Sequence, residues 1–171
     1  VEHKQGFYTK EDYTNQGVKL IRVTDLQNPK IEFDNMPSLF IDEKTYNQFK
    51  VDDGDFLFAR SGGIGRYGIY KSNYPKSIFA SYLIRFKFDK SVVDNYYLGY
   101  FYESFLSKKQ IKAITQGSSN ININAENIKS LRIPLPKLKE QQKIAAILSS
   151  VNEAIEKTEQ IIEQTETVKK G

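Results

Sequence analysis

The sequence predicts an α+β protein, a small mixed-sheet body followed by one long C-terminal helix of the coiled-coil kind. Three observations predict it. All 22 phenylalanines and tyrosines lie between Phe7 and Phe105. Within that span short β-prone runs alternate with turn-forming clusters. From Ile144 onward the chain has no aromatic residue, and its apolar residues recur every three or four positions.

The elements follow in order. VKLIRV (18–23) and IEF (31–33) read as short strands on either side of DLQNPK, a turn cluster. SLFI (38–41) is a third β-prone run. Asp42 is placed as the N-cap of a short helix over DEKTYNQF. VDDGD is a turn in which Asp52, Asp53 and Asp55 act as turn formers, and DFLFA (55–59) is a strand. A glycine-rich loop and the β-prone YGIY come next. SIFASYLIRFKF (77–88) alternates as one long strand, with Ile78, Ala80, Tyr82, Ile84, Phe86 and Phe88 on one face and Ser81, Arg85 and Lys87 on the other.

At Asp94 the period changes. Leu98, Phe101, Tyr102, Phe105 and Leu106 recur at helical spacing, and Gly117 is a natural stop. SSNININ is a polar loop, and Asn124 caps a short helix, AENIKSL. Proline holds LRIPLP extended. In the tail Ile144, Leu148, Val151, Ile155, Thr158, Ile162, Thr165 and Lys169 step by four and three residues in turn, a heptad seam. A helix of about 30 residues spans roughly 45 Å, longer than the edge of so small a body. A protruding or intermolecular helix therefore fits better than one packed wholly on the chain's own body. Pro134 and Pro136 mark the boundary, giving a body of residues 1–136 and a helix of residues 137–171.

Composition narrows the function. The 171 residues are 39% hydrophobic, enough for a core, and carry a formal net charge of +4. The tail from Leu138 holds five lysines against six glutamates, so the body is the basic part, with 20 basic and 15 acidic residues. Without cysteine there are no disulfides, zinc–thiolate sites or cysteine nucleophiles, and a reducing compartment, the cytoplasm, is expected. No apolar run approaches the roughly 20 residues of a membrane span. The single histidine, His3, falls in a terminus expected to fray. The acids are scattered through turns rather than clustered for a metal, so no catalytic or metal-binding residue is assigned.

FARSGGIGRYGIY (58–70) contains G-x-G-x-x-G, the dinucleotide fingerprint. That motif works only when a helix opens at the third glycine. Here the nine residues after Gly68 are β-prone and interrupted by Pro75, so no crossover helix fits. The loop suits another task. Arg60 and Arg66 match phosphate or a guanine edge, and Gly62 and Gly63, beside Ser61, let the backbone approach a ligand closely. Tyr67 and Lys71 adjoin them. A second polar loop offers Gln116, Ser118, Ser119 and Asn120 to phosphates or bases. A plain hairpin loop with surface arginines, and a solvated loop closing the preceding helix, are the alternatives at these positions.

The ordered segments resemble the specificity subunit of type I restriction–modification systems. GVKLIRVTDLQ is similar to its early strand. DDGDFLFARSGGIGRYGIY resembles its G-D-[IF]-L-x-x-R-x-G segment. The stretch from NYYLGYFYESFLSKKQ through TQGSSNININ and RIPLPKLKEQQKIAAIL resembles its helix, G-S loop, I-P-L-P element and E-Q-x-x-I-A-x-I-L helix start. The likeness covers nearly the whole chain. Two departures stand out. A complete specificity subunit has two target-recognition domains and two conserved helical regions, whereas this chain has one of each, like a half subunit or a fragment. The family's opening tryptophan and L-G are also missing.

The resemblance implies a DNA-binding target-recognition domain without catalytic activity. It reads one half of a bipartite site on double-stranded DNA. It places methyltransferase and restriction subunits there, and S-adenosylmethionine, ATP and magnesium belong to those partners. The chain itself is expected to need no cofactor. The seam residues Ile144, Leu148, Val151, Ile155 and Ile162 are expected to form a homodimer through the C-terminal helices. A non-catalytic coiled-coil adaptor that binds a protein partner is the other reading.

Overall fold

The computed structural model describes residues 1–10, 12–115 and 122–170. As the sequence predicts, it is α+β with a long C-terminal helix. The strands are β1 (Glu2–Gln5), β2 (Val18–Ile21), β3 (Leu26–Gln27), β4 (Lys30–Ile31), β5 (Ser38–Leu39), β6 (Phe56–Ala59), β7 (Tyr67–Ile69), β8 (Ser77–Phe79) and β9 (Leu83–Lys87). The helices are α1 (Glu43–Phe49), α2 (Asn95–Glu103), α3 (Phe105–Thr115), α4 (Ala125–Lys129) and α5 (Leu138–Lys170).

β1, β9, β6 and β7 form an antiparallel sheet in that order, and β5, β2 and β8 form a second sheet in which β2 and β8 are parallel. Alternation along each strand sends apolar side chains both ways. On one face of the four-stranded sheet Phe56, Phe58, Tyr67, Ile84 and Phe86 pack with Leu98 and Tyr102 of α2 and Ile128 of α4. On its other face Leu57, Ala59 and Leu83 meet Ile21 and Phe79 of the second sheet. Leu20, Leu39 and Ile78 point away from that shared core, toward Tyr46 and Phe49 of α1. The body is thus layered helix, sheet, sheet, helix.

The two expected helix caps, Asp42 and Asn124, form, and Asp94 is a third. Asp42 accepts from the Thr45 amide at 2.6 Å, Asp94 from Tyr97 at 2.9 Å and Asn124 from Asn127 at 2.8 Å.

Three expectations are corrected. The long strand over 77–88 is two strands in different sheets. The chain turns at Ala80–Tyr82, where the Leu83 amide bonds back to the Ala80 carbonyl at 2.9 Å. Tyr82 is left exposed and Arg85 is buried. The helix from Asp94 breaks at Ser104, whose ψ of 157° leaves the helical region and whose hydroxyl accepts from the Ser107 amide at 3.3 Å. The new axis turns Phe105 and Leu106 outward instead of continuing the face of Leu98 and Tyr102. Nor is His3 frayed. It pairs with Phe86 in β9, their rings stacked 5.7 Å apart.

The VDDGD turn does more than bend the chain. Asp55 is buried beside Arg85 (3.7 Å) and Lys87 (3.9 Å), and it accepts from the Asp52 amide at 2.8 Å. Burial outweighs those cations and pushes its carboxyl above the ordinary range. Asp52 hydrogen-bonds Lys87 at 2.7 Å, which holds its carboxyl below that range.

Helix α5 has two sides. Its first turns lie on the body. Gln141 is fully buried, accepts from the Asp94 amide at 3.0 Å and donates to the carbonyls of Val92 (3.0 Å) and Pro136 (2.8 Å). Ala145 is buried, Tyr100 bonds Ser149 at 2.9 Å, and Lys30 pairs with Glu156. The seam lies about a third of a turn away. Ile144 is half-buried, while Leu148, Val151, Ile155 and Ile162 are 38%, 51%, 50% and 52% exposed. Among the described residues no helix is long and apolar enough to cross a membrane.

Candidate nucleic-acid interface

Strands β6 and β7 form a hairpin whose tip is the loop Arg60–Arg66. Phe58 pairs with Tyr67, and the Ala59 amide bonds the Arg66 carbonyl at 3.0 Å. Inside the loop the Arg66 amide reaches the Gly63 carbonyl at 2.9 Å. Gly62 and Gly65 take φ of +72° and +102°, where a side chain is strained, although open space surrounds both. The loop therefore needs these glycines for its backbone path.

Arg60 is anchored at three atoms. Its amide donates to the Tyr82 carbonyl at 2.9 Å, and its carbonyl accepts from the Ile123 amide at 2.8 Å. Its Nε donates to the Asn122 side chain at 3.1 Å. The loop is thereby joined to the β8–β9 turn and to the segment that precedes α4. Arg66 is exposed and has no carboxylate partner among the described residues.

The peptide groups on either side of Arg66 are held by a residue that the sequence did not single out. Asn28 accepts from the Tyr67 amide at 2.8 Å and donates to the Gly65 carbonyl at 3.1 Å. Its carboxamide thus acts as a one-residue strand partner to the loop. Asn28 has φ of +25°, which asparagine tolerates better than most residues. The signal in the sequence was the N-P pair of DLQNPK, read there only as a turn.

The remaining expected residues divide. Ser61 and Gly63 are half-buried in the loop and Gly62 is exposed. Tyr67 does not belong to the surface. Only 1% exposed, its ring stacks on Phe56 at 5.0 Å and meets Tyr102 edge-on, and burial, with Glu103 nearby, raises its hydroxyl far above the ordinary phenol range. It is the first residue of β7, and strand alternation turns it into the core. Lys71 is exposed at the opposite end of the hairpin, beside the cleft between Asn28–Lys30 and α5. Gln116, Ser118, Ser119 and Asn120 lie outside the described residues.

The dinucleotide fingerprint fails on geometry. Gly68 lies inside β7 with no helix after it, and Ile31 Cγ1 stands 2.7 Å from where a Cβ would be. Among the described residues no group of three histidines or carboxylates could hold a metal.

The family model of the type I restriction modification DNA specificity domain matches residues 1–167. The chain belongs to that family. The specificity subunit of the type I restriction enzyme MjaVIII from Methanocaldococcus jannaschii is 28% identical over 176 residues, covering 99% of this chain and 41% of that protein. The chain spans about two fifths of that relative's length. A solved structure described as the basis of complex assembly and conformational transition of the type I R-M system superposes with a TM-score of 0.72. It is 16% identical, over 97% of this chain and 39% of that one. The HsdS subunit from Thermoanaerobacter tengcongensis gives 0.61 at 15% identity, over 90% and 35%. These likenesses show a shared fold. In specificity-domain terms, the E-Q-x-x-I-A-x-I-L segment now has a structural meaning: its glutamine and alanine, Gln141 and Ala145, dock the long helix on the body, while Ile144 and Leu148 begin the outward seam.

Proposed function

We propose that this chain is a non-catalytic DNA reader that recognises one half of a bipartite site through its body, residues 1–136. The observation that carries the proposal is the Arg60–Arg66 loop, anchored at both ends and presenting Arg66 without a charge partner among the described residues, in a chain of the specificity-domain family. Arg60, Ser61, Gly62, Gly63 and Arg66 face DNA in this reading, together with Gln116, Ser118, Ser119 and Asn120. Lys71, at the other end of the hairpin, is left out.

Residues 137–171 form the spacer and dimerisation helix. The stripe of Leu148, Val151, Ile155 and Ile162 stays exposed while another side of α5 covers the body, which supports pairing with a second α5. A two-fold pair uses the same patch twice, so antiparallel helices set two bodies apart over an inverted repeat with an unread spacer. The 33 residues of α5 are about 50 Å long, somewhat more than one turn of B-DNA. Methyltransferase and restriction subunits bind alongside in the cytoplasm, and S-adenosylmethionine, ATP and magnesium are theirs.

The adaptor reading makes a different prediction about salt. A chain that neutralises several phosphates loses affinity linearly in log salt, by about 0.9 per contact, whereas an apolar protein interface does not. Fluorescence anisotropy with a mixed-sequence duplex from 50 to 300 mM salt is expected to give a steep negative slope. A flat slope, or no binding with the methyltransferase present, overturns the DNA reading.

A further inference from the structure

A groove of about 750 Å³ runs between the glycine loop and α3. We propose that it seats the sugar–phosphate backbone of one DNA strand, with Lys108 and Lys112 as its phosphate contacts. This rests on the DNA reading above and extends it to residues outside both polar loops.

Helix α3 carries three lysines and no carboxylate. Lys108 and Lys112 stand one turn apart, with Cβ atoms about 5–6 Å from each other, and both line the groove. Both are exposed, and neither has a carboxylate partner among the described residues. Unpaired ammonium groups at that spacing suit a chain of regularly placed anions. Lysine is a point charge rather than a planar fork. It therefore holds a phosphate without reading a base.

The opposite wall is the backbone of Ser61–Gly65, in which Gly62 and Gly65 lack a side chain and have open space around them. The groove is lined further by Ile111 and by the largely buried ring of Tyr102. The apolar ring and isoleucine suit the sugar face.

The same loop carries Arg66. A strand held by Lys108 and Lys112 therefore passes the groups assigned to base reading. In this arrangement the helix fixes the register of the body on the duplex and the arginines identify the bases, the division of labour seen generally between phosphate and base contacts.

The test uses the full chain and two duplexes, one selected by the parent protein and one of mixed sequence. Lys108→Gln with Lys112→Gln is expected to make the salt slope shallower by about 1.8, two contacts' worth, and to weaken both duplexes by the same factor. The specificity ratio and thermal midpoint stay unchanged. Lys139→Gln with Lys143→Gln, on an exposed side of α5, removes the same charge and is expected to leave the slope alone. An unchanged slope in the Lys108/Lys112 variant, a loss confined to one base position, or an equal slope change in the α5 control overturns the proposal while the DNA reading stands. If the parent binds neither duplex, the DNA reading falls and this inference falls with it.

Discussion

Asn28→Ala is the sharpest test of how the loop is built. The substitution removes an acceptor 2.8 Å from the Tyr67 amide and a donor 3.1 Å from the Gly65 carbonyl. Tyr67 is almost wholly buried, so its amide has little access to water. Leaving a buried backbone group unpaired costs about 1–3 kcal/mol, and losing an ordinary hydrogen bond about 0.5–1.5 kcal/mol. Alanine must also adopt a φ of +25°, a strain of roughly 1 kcal/mol. The sum is about 2.5–5.5 kcal/mol. Asn28→Gly loses the bonds without that strain, so it should fall about 1 kcal/mol short of the alanine variant. Urea unfolding gives both differences from the shift in midpoint at constant m. In DNA binding, a double-mutant cycle with Arg66→Ala isolates the positioning role. The two losses should be less than additive, because a displaced Arg66 has little left to lose. A stability change below about 0.5 kcal/mol would show that the clamp is not formed. Additive binding losses would show that Asn28 does not act through Arg66.

The remaining predictions concern packing, pH and assembly. A Cβ on Gly99 would stand 2.6–2.8 Å from the Tyr67 ring and hydroxyl, so Gly99→Ala should destabilise by about 1–3 kcal/mol. Alanine is otherwise the better helix former, and a raised thermal midpoint would refute the packing. Asp52 has a lowered folded pKa, so its contribution is present above about 4 and is lost as pH falls through that lowered value. Asp52→Asn should accordingly flatten the acid limb of stability against pH, and an unchanged limb contradicts the Lys87 contact. Asp55 acts in the opposite sense. Its raised value makes ionisation costly as pH climbs from about 4 through the folded pKa. Leu148→Glu with Ile155→Glu should leave the body folded and the chain monomeric by light scattering; a persistent dimer would move the interface off the seam.

Much of the fold was legible where one residue or one period carries the information. Asp42 and Asn124 cap their helices because a short polar side chain can reach the amide three residues on. The heptad seam was legible because its aliphatic residues repeat. The other side of α5 was not, since Gln141, Ala145 and Ser149 dock by hydrogen bonds and small size rather than by hydrophobicity. The breaks at Ala80–Tyr82 and Ser104 left no glycine or proline to mark them, and the alternation and helical period run straight through both. They come from tertiary pairing, since β8 joins β2 while β9 is shared by β1 and β6. At the site, the arginines and glycines of the loop were visible from their chemistry. Asn28 and Asn122 were not, because they act on the loop from 37 and 62 residues away. Tyr67 was misplaced because it adjoins Arg66 in sequence, whereas it is the first residue of β7 and strand alternation turns its ring into the core.

The central claim is that this body reads DNA sequence through the Arg60–Arg66 loop. The most direct measurement is selection of bound duplexes from a randomised pool, with the methyltransferase present, for the parent chain and for Arg66→Ala. The parent is expected to enrich an inverted repeat with an unread spacer. The Arg66→Ala variant enriches the same repeat with one position in each half relaxed, at a cost of about 1–3 kcal/mol for the parent's site. A parent pool that stays random, or a variant that recovers the parent's sequence at the parent's affinity, contradicts it.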